Sequence, residues 1–257
     1  MPRPKRWQMF TLGHGGTLVR LSHWKYYLDW LNVMIEPLDV TDTVWRGQAF
    51  ASWHLESGLQ RLARRRGVVL DGELTARHLE HFKLAVRGRR GANPQVIDNE
   101  ADWWSLGQHY GLATPLLDWT TSPFVALYFA FLKEGPVEGG QRAVWGLNRR
   151  NISALSTHVG ITEPLAPRPI FVDPRLEENA RLVNQGGLFT LAPPNQTLIE
   201  WIEAHVAQQQ RVGTYLKIVI PDVDRERCLK VLRRMNITHL SLFPDVYGAA
   251  KHCNAVF

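Results

Sequence analysis

The 257-residue sequence has little cysteine and no long hydrophobic run, and both features narrow what the protein can be. Cys228 and Cys253 are its two cysteines, and they do not form a CxxC pair. This pattern predicts reduced, buried thiols in a cytoplasmic protein and gives no support for a disulfide framework. No apolar run approaches the roughly 20 residues that a membrane-spanning helix needs. The basic N-terminus lacks an apolar segment of the signal-peptide type, so we expect neither export nor a membrane partner.

Metal-binding and nucleophilic motifs are also lacking. His78 and His81 lie about one helical turn apart, but no second ligand pair follows at the spacing of a zinc site. No Ser-His-Asp or Cys-His spacing indicates nucleophilic catalysis. We therefore expect no metal. A hydrolase or nuclease centred on His109 and Asp118 ranks below the two functions that the motifs favour.

The composition is that of a globular protein with positive charge gathered in two places. Hydrophobic residues make up 45% of the chain and charged residues 21%, which is typical of a domain with a sizeable core. The formal net charge is +6, and basic runs occur at 61–67 and 87–91. They flank a predicted helix at 72–86, so they could form one patch. Such a patch either binds phosphates or is a solvated surface.

Hydrophobic periodicity predicts one α+β domain with a mixed or antiparallel sheet and flanking helices. Residues 1–22 show no clear period and are predicted as an arm or an edge strand. Helices are predicted at 23–35, 71–86, 98–110, from Ser122-Pro123 onward, at 197–210 and at 222–235. A short helical or turn segment is predicted at 179–184, and a short terminal helix is predicted to begin at 242–245. Strands are predicted at 43–48, 116–119, 143–147, 170–172, 187–191, 215–220 and 237–242.

The segment 108–131, QHYGLATPLLDWTTSPFVALYFAF, concentrates polar residues beside very apolar ones. Burying a polar group without a hydrogen bond costs about 2–7 kcal/mol, so this density indicates either a functional site or a tightly bonded turn. The residues capable of chemistry are Gln108, His109, Asp118, Thr120, Thr121 and Ser122. Loops held by rigid elements often carry function, which favours a site.

Each of these residues also has a structural interpretation. His109 is either an acid–base or ring-stacking residue or a bonded core histidine. Asp118 either orients Arg46 or His109 or caps the turn before Ser122. Thr120, Thr121 and Ser122 are natural helix-start residues, and capping alone explains at least one of them.

Four segments together resemble the FRG domain, a bacterial family named for a Phe-Arg-Gly motif. They are Trp45–Gln48, in which Trp replaces Phe, and 108–131, 179–189 and 237–248. The resemblance implies one compact FRG domain over 41–257, preceded by an N-terminal arm and helix over 1–40. The chain departs from the pattern GLPTRLLDW at Ala113 and Pro115, where Pro and Arg are expected. If that Arg binds a ligand in the family, this protein has lost it.

A more distant likeness connects the chain to ADP-ribosyltransferases, which carry an aromatic-Arg-Gly strand followed by a Ser-Thr-Ser-like strand end and a helix. Here Trp45-Arg46-Gly47 precedes the segment 119–130, WTTSPFVALYFA. The likeness implies a split sheet and NAD as substrate. It implies that Arg46 grips the NAD phosphates or ribose. The alternative is a structural arginine that ties its strand to a carboxylate such as Asp118. The residues assigned to NAD binding are Arg46, Gly47, Gln108, Thr120, Thr121, Ser122 and Arg181.

The expected catalytic carboxylate of such an enzyme is missing from the sequence pattern. By order, the residue at its position is Gln185, whose amide can bond a ribose hydroxyl but cannot offset the positive sugar of the transition state. Arg181, four residues earlier, would share a helical face with it. The catalytic candidates are thus His109, Asp118 and Gln185, with NAD binding favoured over efficient transfer.

Two functions follow as hypotheses. The first is an ADP-ribosyltransferase-like, NAD-binding enzyme, such as a toxin or anti-phage defence effector, that modifies nucleic acid or protein. The alternative is a non-catalytic nucleotide- or nucleic-acid-binding module that uses the basic runs. Under the first hypothesis we expect seven residues to converge on one cleft outside those runs: Arg46, Gln108, His109, Asp118, Ser122, Arg181 and Gln185. The sequence does not predict an oligomeric state.

Overall fold

A computed structural model describes residues 5–12, 15–34, 42–173, 180–206 and 213–256, and these residues form an α+β fold. Its strands belong to a single mixed sheet of eight strands. The strands are β1 (Trp7–Leu12), β2 (Gly16–Leu21), β3 (Thr43–Gln48), β4 (Leu116–Thr120), β5 (Gln141–Asn148), β6 (Ile170–Val172), β7 (Gly187–Leu191) and β8 (Tyr215–Pro221).

Eleven α-helices accompany the sheet in the described residues, together with two short 3-10 turns at Trp24–Tyr26 and Glu138–Gly140. The helices are α1 (Tyr27–Met34), α2 (Gly58–Arg66), α3 (Gly72–Ala85), α4 (Glu100–His109), α5 (Pro123–Leu132), α6 (Arg149–Thr162), α7 (Ala180–Asn184), α8 (Leu198–Val206), α9 (Arg225–Arg234), α10 (His239–Leu242) and α11 (Val246–Val256). None of the described helices is long and apolar enough to cross a membrane.

The strand order is β1-β2-β8-β5-β3-β4-β7-β6, with β2 and β8 parallel and the other neighbours antiparallel. The junction between β3 and β4 is unusual, because a single residue pair, Trp45 with Thr120, joins them. On its other side β3 pairs with β5 over six residue pairs, from Thr43 to Gln48. The sheet is therefore weakly joined at its middle, where β3 and β4 meet.

Helices cover both faces of the sheet, because its strands alternate their side chains between two cores. Trp45 and Val144 face a core that also contains residues of α1, α5 and α9. Their neighbours Val44 and Trp145 face the opposite core, which contains residues of α6 and α8. A third cluster lies beneath α2, α3 and α4, beside Phe189 of β7.

The predicted α+β class with flanking helices is confirmed, and the predicted arm or edge strand at the N-terminus contains β1 and β2. The strand predicted at 237–242 is wrong, since α10 lies there. Thr238 and Ser241 form a reciprocal capping box, which outweighs the β-branched residues of this segment. The basic run at 61–67 belongs to helix α2, and residues 149–162 form α6, which the sequence patterns did not predict.

The predictions for several other segments differ in part. The helix predicted at 197–210 is observed over Leu198–Val206, and 207–210 lie outside the described residues, as does the part of the segment predicted at 179–184 that precedes Ala180. The two cysteines also differ from each other. Cys228 is buried as predicted, but Cys253, in the C-terminal helix α11, is exposed.

Candidate functional site

A cleft of about 780 Å³ opens beside the weak junction between β3 and β4. Five of the residues predicted from the sequence line it: Arg46, Gly47, Asp118, Thr120 and Gln185. They come from β3, β4 and the turn before β7, so the sheet brings together positions that lie far apart in the sequence. The volume is within the range of about 300–1,000 Å³ that is typical of small-molecule sites.

Gly47 is required by the packing of α5 against β3. A Cβ atom at this position would lie 2.0 Å from the Ala126 carbonyl oxygen and 2.5 Å from the Ala130 amide nitrogen. Real Cβ atoms do not approach backbone atoms this closely, so any side chain would push α5 away from the sheet. Gly47 therefore sets the distance between the strand that carries Arg46 and the helix whose carboxyl end borders the cleft.

Arg46 bridges the gap in the ladder between β3 and β4. Its Nη1 donates to the Asp118 carbonyl oxygen at 2.8 Å and to Asp118 Oδ2 at 3.3 Å. The side chain is 18% exposed, and its Nε is buried without a hydrogen-bond partner among the described residues. A buried donor without a partner is costly, so the protein leaves this guanidinium incompletely satisfied.

Asp118 is the more exposed partner, with 62% of its side chain accessible to solvent. Gln108 Nε2 donates to Asp118 Oδ1 at 2.5 Å, while Gln108 Oε1 accepts from the Thr114 hydroxyl. These bonds orient the carboxylate at the edge of the cleft. Gln108 thus lies behind Asp118 and is absent from the cleft lining.

The three hydroxyl residues at the end of β4 bond to one another, to the turn before β7 and to the start of α5. Thr120 Oγ1 donates to the Gln185 carbonyl oxygen at 2.5 Å and accepts from the Ser122 amide at 3.0 Å. Ser122 Oγ caps α5 by accepting from the Val125 amide at 3.3 Å. The Thr121 amide donates to the Gly186 carbonyl oxygen at 2.9 Å. This network fixes the turn that carries Gln185 against β4, and Ser122 does not reach the cleft.

Gln185 occupies the cleft wall beside Phe243. Its Nε2 donates to the Leu242 carbonyl oxygen at 3.1 Å, which fixes one end of the amide. Among the described residues no donor bonds to Gln185 Oε1, so this oxygen is the acceptor that Gln185 offers to a ligand. An amide at this position can accept a hydrogen bond but carries no negative charge.

Arg181 and His109 lie away from the cleft. Arg181 Nε donates to Asp245 Oδ2 at 2.5 Å, and its guanidinium lies 5.6 Å from the Phe243 ring centre. The Gly248 amide and then Arg181 hold the pKa of Asp245 below its usual value, and His109 acts in the same direction. The His109 ring also packs edge-to-face against Tyr110, with ring centres 4.9 Å apart.

The predicted convergence of seven residues is therefore met in part. Arg46, Asp118 and Gln185 line one cleft. Gln108, Ser122, Arg181 and His109 do not, because each is held by neighbouring residues of the fold or lies beyond the cleft wall.

Sequence reasoning missed two arginines of the basic run, which was expected to lie outside the cleft. Arg61 and Arg64 of α2 both line it. A capping box at Ser57 starts the helix, and the spacing of three residues places both arginines on one face. Burial first, and then repulsion from Arg46, lowers the pKa of Arg61, so these guanidinium groups lie in each other's field. The i, i+3 spacing was the signal that could have found them.

Glu56 balances part of this charge. Its Oε2 accepts from Arg64 Nη2 at 3.0 Å, and its carbonyl oxygen accepts from Arg61 Nη1 at 2.6 Å. Lys133, at the carboxyl end of α5, adds a further cation to the lining. The cleft is therefore lined by three arginines and a lysine, with Glu56 and Asp118 as the two carboxylates that the described residues contribute.

Aromatic rings complete the cleft. Trp53 is half exposed, and its ring centre lies 4.6 Å from that of Phe50. Lys133 Nζ lies 5.6 Å from the centre of the Phe50 ring. Phe50 lies outside the cleft lining, so Trp53 is the half-exposed ring that the lining offers. Cations and an exposed ring in one cleft suit a ligand that joins phosphates to a planar group. In the part of the chain that the structure describes, no group of three or more His, Cys, Asp or Glu residues is placed to hold a metal ion.

Comparison with protein families gives one match. Residues 41–138 match the family model of the FRG domain, the family that the sequence motifs resemble. The matched region contains the Trp-Arg-Gly strand and the whole segment 108–131, and it ends before the two later motifs. No curated protein and no solved structure matches the chain.

Proposed function

We propose that the protein binds a phosphate-bearing nucleotide in the cleft and that the nucleotide is NAD. The observation that supports this most is the lining of one cleft by Arg46, Arg61, Arg64 and Lys133. Guanidinium groups form paired, charge-assisted hydrogen bonds with phosphate oxygens. A pyrophosphate would offset their mutual repulsion and provide acceptors for donors that the protein leaves unused.

The rest of the cleft suits the other parts of a dinucleotide. Trp53 offers a half-exposed ring on which a base or nicotinamide can stack. Asp118 and the Gln185 amide oxygen offer acceptors for ribose hydroxyls in the same cleft. Thr120 lines the cleft and also fixes the turn that carries Gln185, whereas Ser122 supports the site from outside the lining.

The proposed reaction is the ADP-ribosyltransferase type. The bond between the ribose C1′ and nicotinamide breaks, nicotinamide leaves with the electron pair, and an acceptor forms the new bond to C1′ while losing a proton. The acceptor is a nucleic acid, a protein or water. A toxin or defence effector is the role that we propose for such an enzyme.

A non-catalytic nucleotide-binding module is the second candidate, and Gln185 favours it. An amide fixed to the Leu242 carbonyl oxygen cannot stabilise the cationic sugar as a carboxylate would. Asp118 and Glu56 are carboxylates of the cleft lining, and both are paired with arginines. We therefore expect binding to be tighter than turnover is fast.

Incubation of the protein with labelled NAD separates these candidates. Calorimetry measures binding, while nicotinamide release and label transfer to RNA, DNA or protein measure the reaction. Arg46→Ala should lower NAD affinity at least about tenfold, equivalent to ~1.4 kcal/mol. Arg65→Ser is the matched control, because Arg65 is an exposed residue of α2 outside the cleft lining.

The outcomes of these assays distinguish the enzyme from the non-catalytic module. Binding with nicotinamide release supports the enzyme, and binding without release supports the module. Wild-type protein that binds neither NAD nor another nucleotide at millimolar concentration rules out both. Arg46→Lys keeps the charge but loses the planar fork, so we expect it to restore only part of the affinity.

Gln185→Glu tests the catalytic interpretation directly. If the missing carboxylate limits transfer, this variant should release nicotinamide faster than wild type. The change removes the hydrogen bond to the Leu242 carbonyl oxygen, so a melting curve must accompany the assay. Unchanged release from a folded variant that still binds NAD would contradict the assignment of Gln185 to the catalytic position.

A further inference from the structure

A second groove, of about 530 Å³, lies on the other side of the carboxyl end of α5. Its walls come from α5, α9, α10 and α11. It shares Leu132 and Lys133 with the first cleft, so the two spaces are neighbours separated by the end of one helix. The sequence motifs gave no indication of this groove.

Cationic groups dominate the groove. Arg225, Arg233 and Lys251 line it together with the imidazoles of His239 and His252. Among the described residues, Glu134 is the carboxylate that the lining contains, and its side chain is 84% exposed and 3.9 Å from Arg225. Positive charge therefore exceeds negative charge along the walls.

Arg225 has a structural role in the groove wall. Its Nε donates to the Phe131 carbonyl oxygen at 2.8 Å, and its Nη2 donates to the Leu132 carbonyl oxygen at 2.8 Å. It thus caps the last turn of α5. Arg233 of α9 and Lys251 of α11 are exposed and line the same groove, so a phosphate bound there could meet both.

The pKa of His239 responds to the charges that line the groove. Its Nδ1 lies 2.9 Å from the Tyr128 hydroxyl, and its ring stacks on Phe243 with centres 4.5 Å apart. Burial first, then Lys251 and His252, lowers the pKa of His239, whereas Asp245 opposes this shift and Arg181 adds to it. An anion bound nearby would favour the protonated ring and raise that pKa.

Tyr247 adds a stacking surface at the rim. Its ring is more than half exposed, and Lys251 Nζ lies 5.7 Å from its centre. An exposed aromatic ring beside cations is the combination with which proteins hold single-stranded nucleic acid, because bases stack while the backbone phosphates bind the cations. A small phosphorylated ligand would use the cations without needing the ring.

We propose that this groove binds the phosphate groups of a single-stranded nucleic acid, with Arg233 and Lys251 as the phosphate contacts and Tyr247 as the stacking surface. None of these three residues lines the first cleft. The proposal therefore does not depend on NAD binding there.

The test uses full-length protein and a fluorescent single-stranded oligonucleotide over a series of salt concentrations. The double variant Arg233→Ser with Lys251→Ser should weaken binding at least about tenfold at low salt. It should also flatten the log–log salt dependence by ~1.4, since each phosphate that a protein neutralises on a single strand adds about 0.7 to the slope. The matched control, Lys230→Ser with Arg234→Ser, removes two exposed charges of α9 outside the groove and should have a much smaller effect.

Equal reductions of affinity in the two double variants would overturn the proposal, because they would indicate a nonspecific response to net charge. Absence of oligonucleotide binding by the wild type would overturn it as well. Inorganic pyrophosphate distinguishes the sources of phosphate: the nucleic-acid proposal predicts that Tyr247→Leu weakens oligonucleotide binding several-fold and leaves pyrophosphate binding unchanged. Pyrophosphate binding that raises the pKa of His239 by NMR, with no oligonucleotide binding, would identify a small phosphorylated ligand and contradict the nucleic-acid assignment.

Discussion

Arg46 and Arg142 lie on the neighbouring strands β3 and β5, yet they have opposite relations to the fold. Arg142 is fully buried, and each of its three guanidinium nitrogens has a partner: Asp222 at 2.7 Å, the Ala130 carbonyl oxygen at 2.6 Å and the Lys133 carbonyl oxygen at 3.1 Å. Arg46 bonds through Nη1, and its Nε has no partner among the described residues.

The contrast shows how to separate a structural arginine from a candidate binding residue. Arg142 joins the end of α5 to β5 and to Asp222, so its hydrogen-bonding capacity is used within the fold. Arg46 holds one carbonyl and one solvent-exposed carboxylate at the edge of a cleft, and part of its capacity remains. Burial and partner satisfaction, rather than residue type or strand position, distinguish the two.

Arg142→Met should have the largest effect on stability. The change leaves the Asp222 carboxylate and the buried Ala130 carbonyl group without the donor that Arg142 supplies, and removing one partner of a buried pair costs about 3–5 kcal/mol. Urea denaturation measures the loss in free energy of unfolding. Arg149→Met is the control, because the Arg149–Asp173 pair is exposed and is worth about 0–1 kcal/mol. Similar losses in the two variants would show that burial does not separate them.

Gly47→Ala should have the next largest effect. The new methyl group would overlap the Ala126 carbonyl oxygen, and forced overpacking of this kind typically costs about 1–3 kcal/mol. Thermal and urea denaturation measure this cost, and NAD binding should weaken because α5 moves relative to Arg46. Gly72→Ala, at an open position of α3, should change stability by less than about 0.5 kcal/mol. If the free energy of unfolding of Gly47→Ala equals that of the wild type, α5 adjusts to the methyl group without strain.

Arg46→Ala should lower stability by about 0–1 kcal/mol, because water can solvate the exposed Asp118 carboxylate that it leaves behind. The same change should abolish most NAD binding, so its effect on the ligand exceeds its effect on the fold. A melting curve and a binding titration on one sample compare the two. A loss of about 3 kcal/mol or more, the cost of breaking a buried pair, in a protein without a measurable nucleotide ligand would place Arg46 beside Arg142 as a structural residue.

Arg64→Ser should have the smallest effect on stability and should still lower the affinity for the nucleotide. Its ion pair with Glu56 is largely exposed on the arginine side, so we expect a change of about 0–1 kcal/mol in the free energy of unfolding. Binding should fall relative to Arg65→Ser, which removes a charge from the same helix outside the cleft. Equal nucleotide affinity in the two variants would show that the arginines of α2 act only through long-range electrostatic attraction and make no direct contact.

The sequence was sufficient for the parts of the site that local motifs define. The Trp-Arg-Gly strand, the segment with Asp118 and the turn with Gln185 were each recognisable, and the sheet brings them to one cleft. Arg61 and Arg64 were not predicted to join them, because their run has the charge density of a solvated surface. Their position depends on how α2 packs against the sheet, and that is a tertiary property.

The error at 237–242 has a local cause. Ile237, Thr238 and the alternating apolar residues after them favour a strand by propensity. The structure forms a short helix because Thr238 and Ser241 satisfy each other's amides, which is a stronger local interaction. The second groove, which uses His239 of this helix, could therefore not be predicted from the sequence.

Lys133 is a single positive charge at the boundary of two spaces that we propose to hold anions. One ammonium group cannot neutralise a phosphate on each side at full strength. Occupation of either space should therefore lower the affinity of the other. By thermodynamic linkage, the factor by which bound nucleotide lowers the affinity for single-stranded nucleic acid must equal the factor by which bound nucleic acid lowers the affinity for the nucleotide. Replacing Lys133 by a neutral residue should bring that factor closer to one, even though it lowers the affinity for each ligand measured alone.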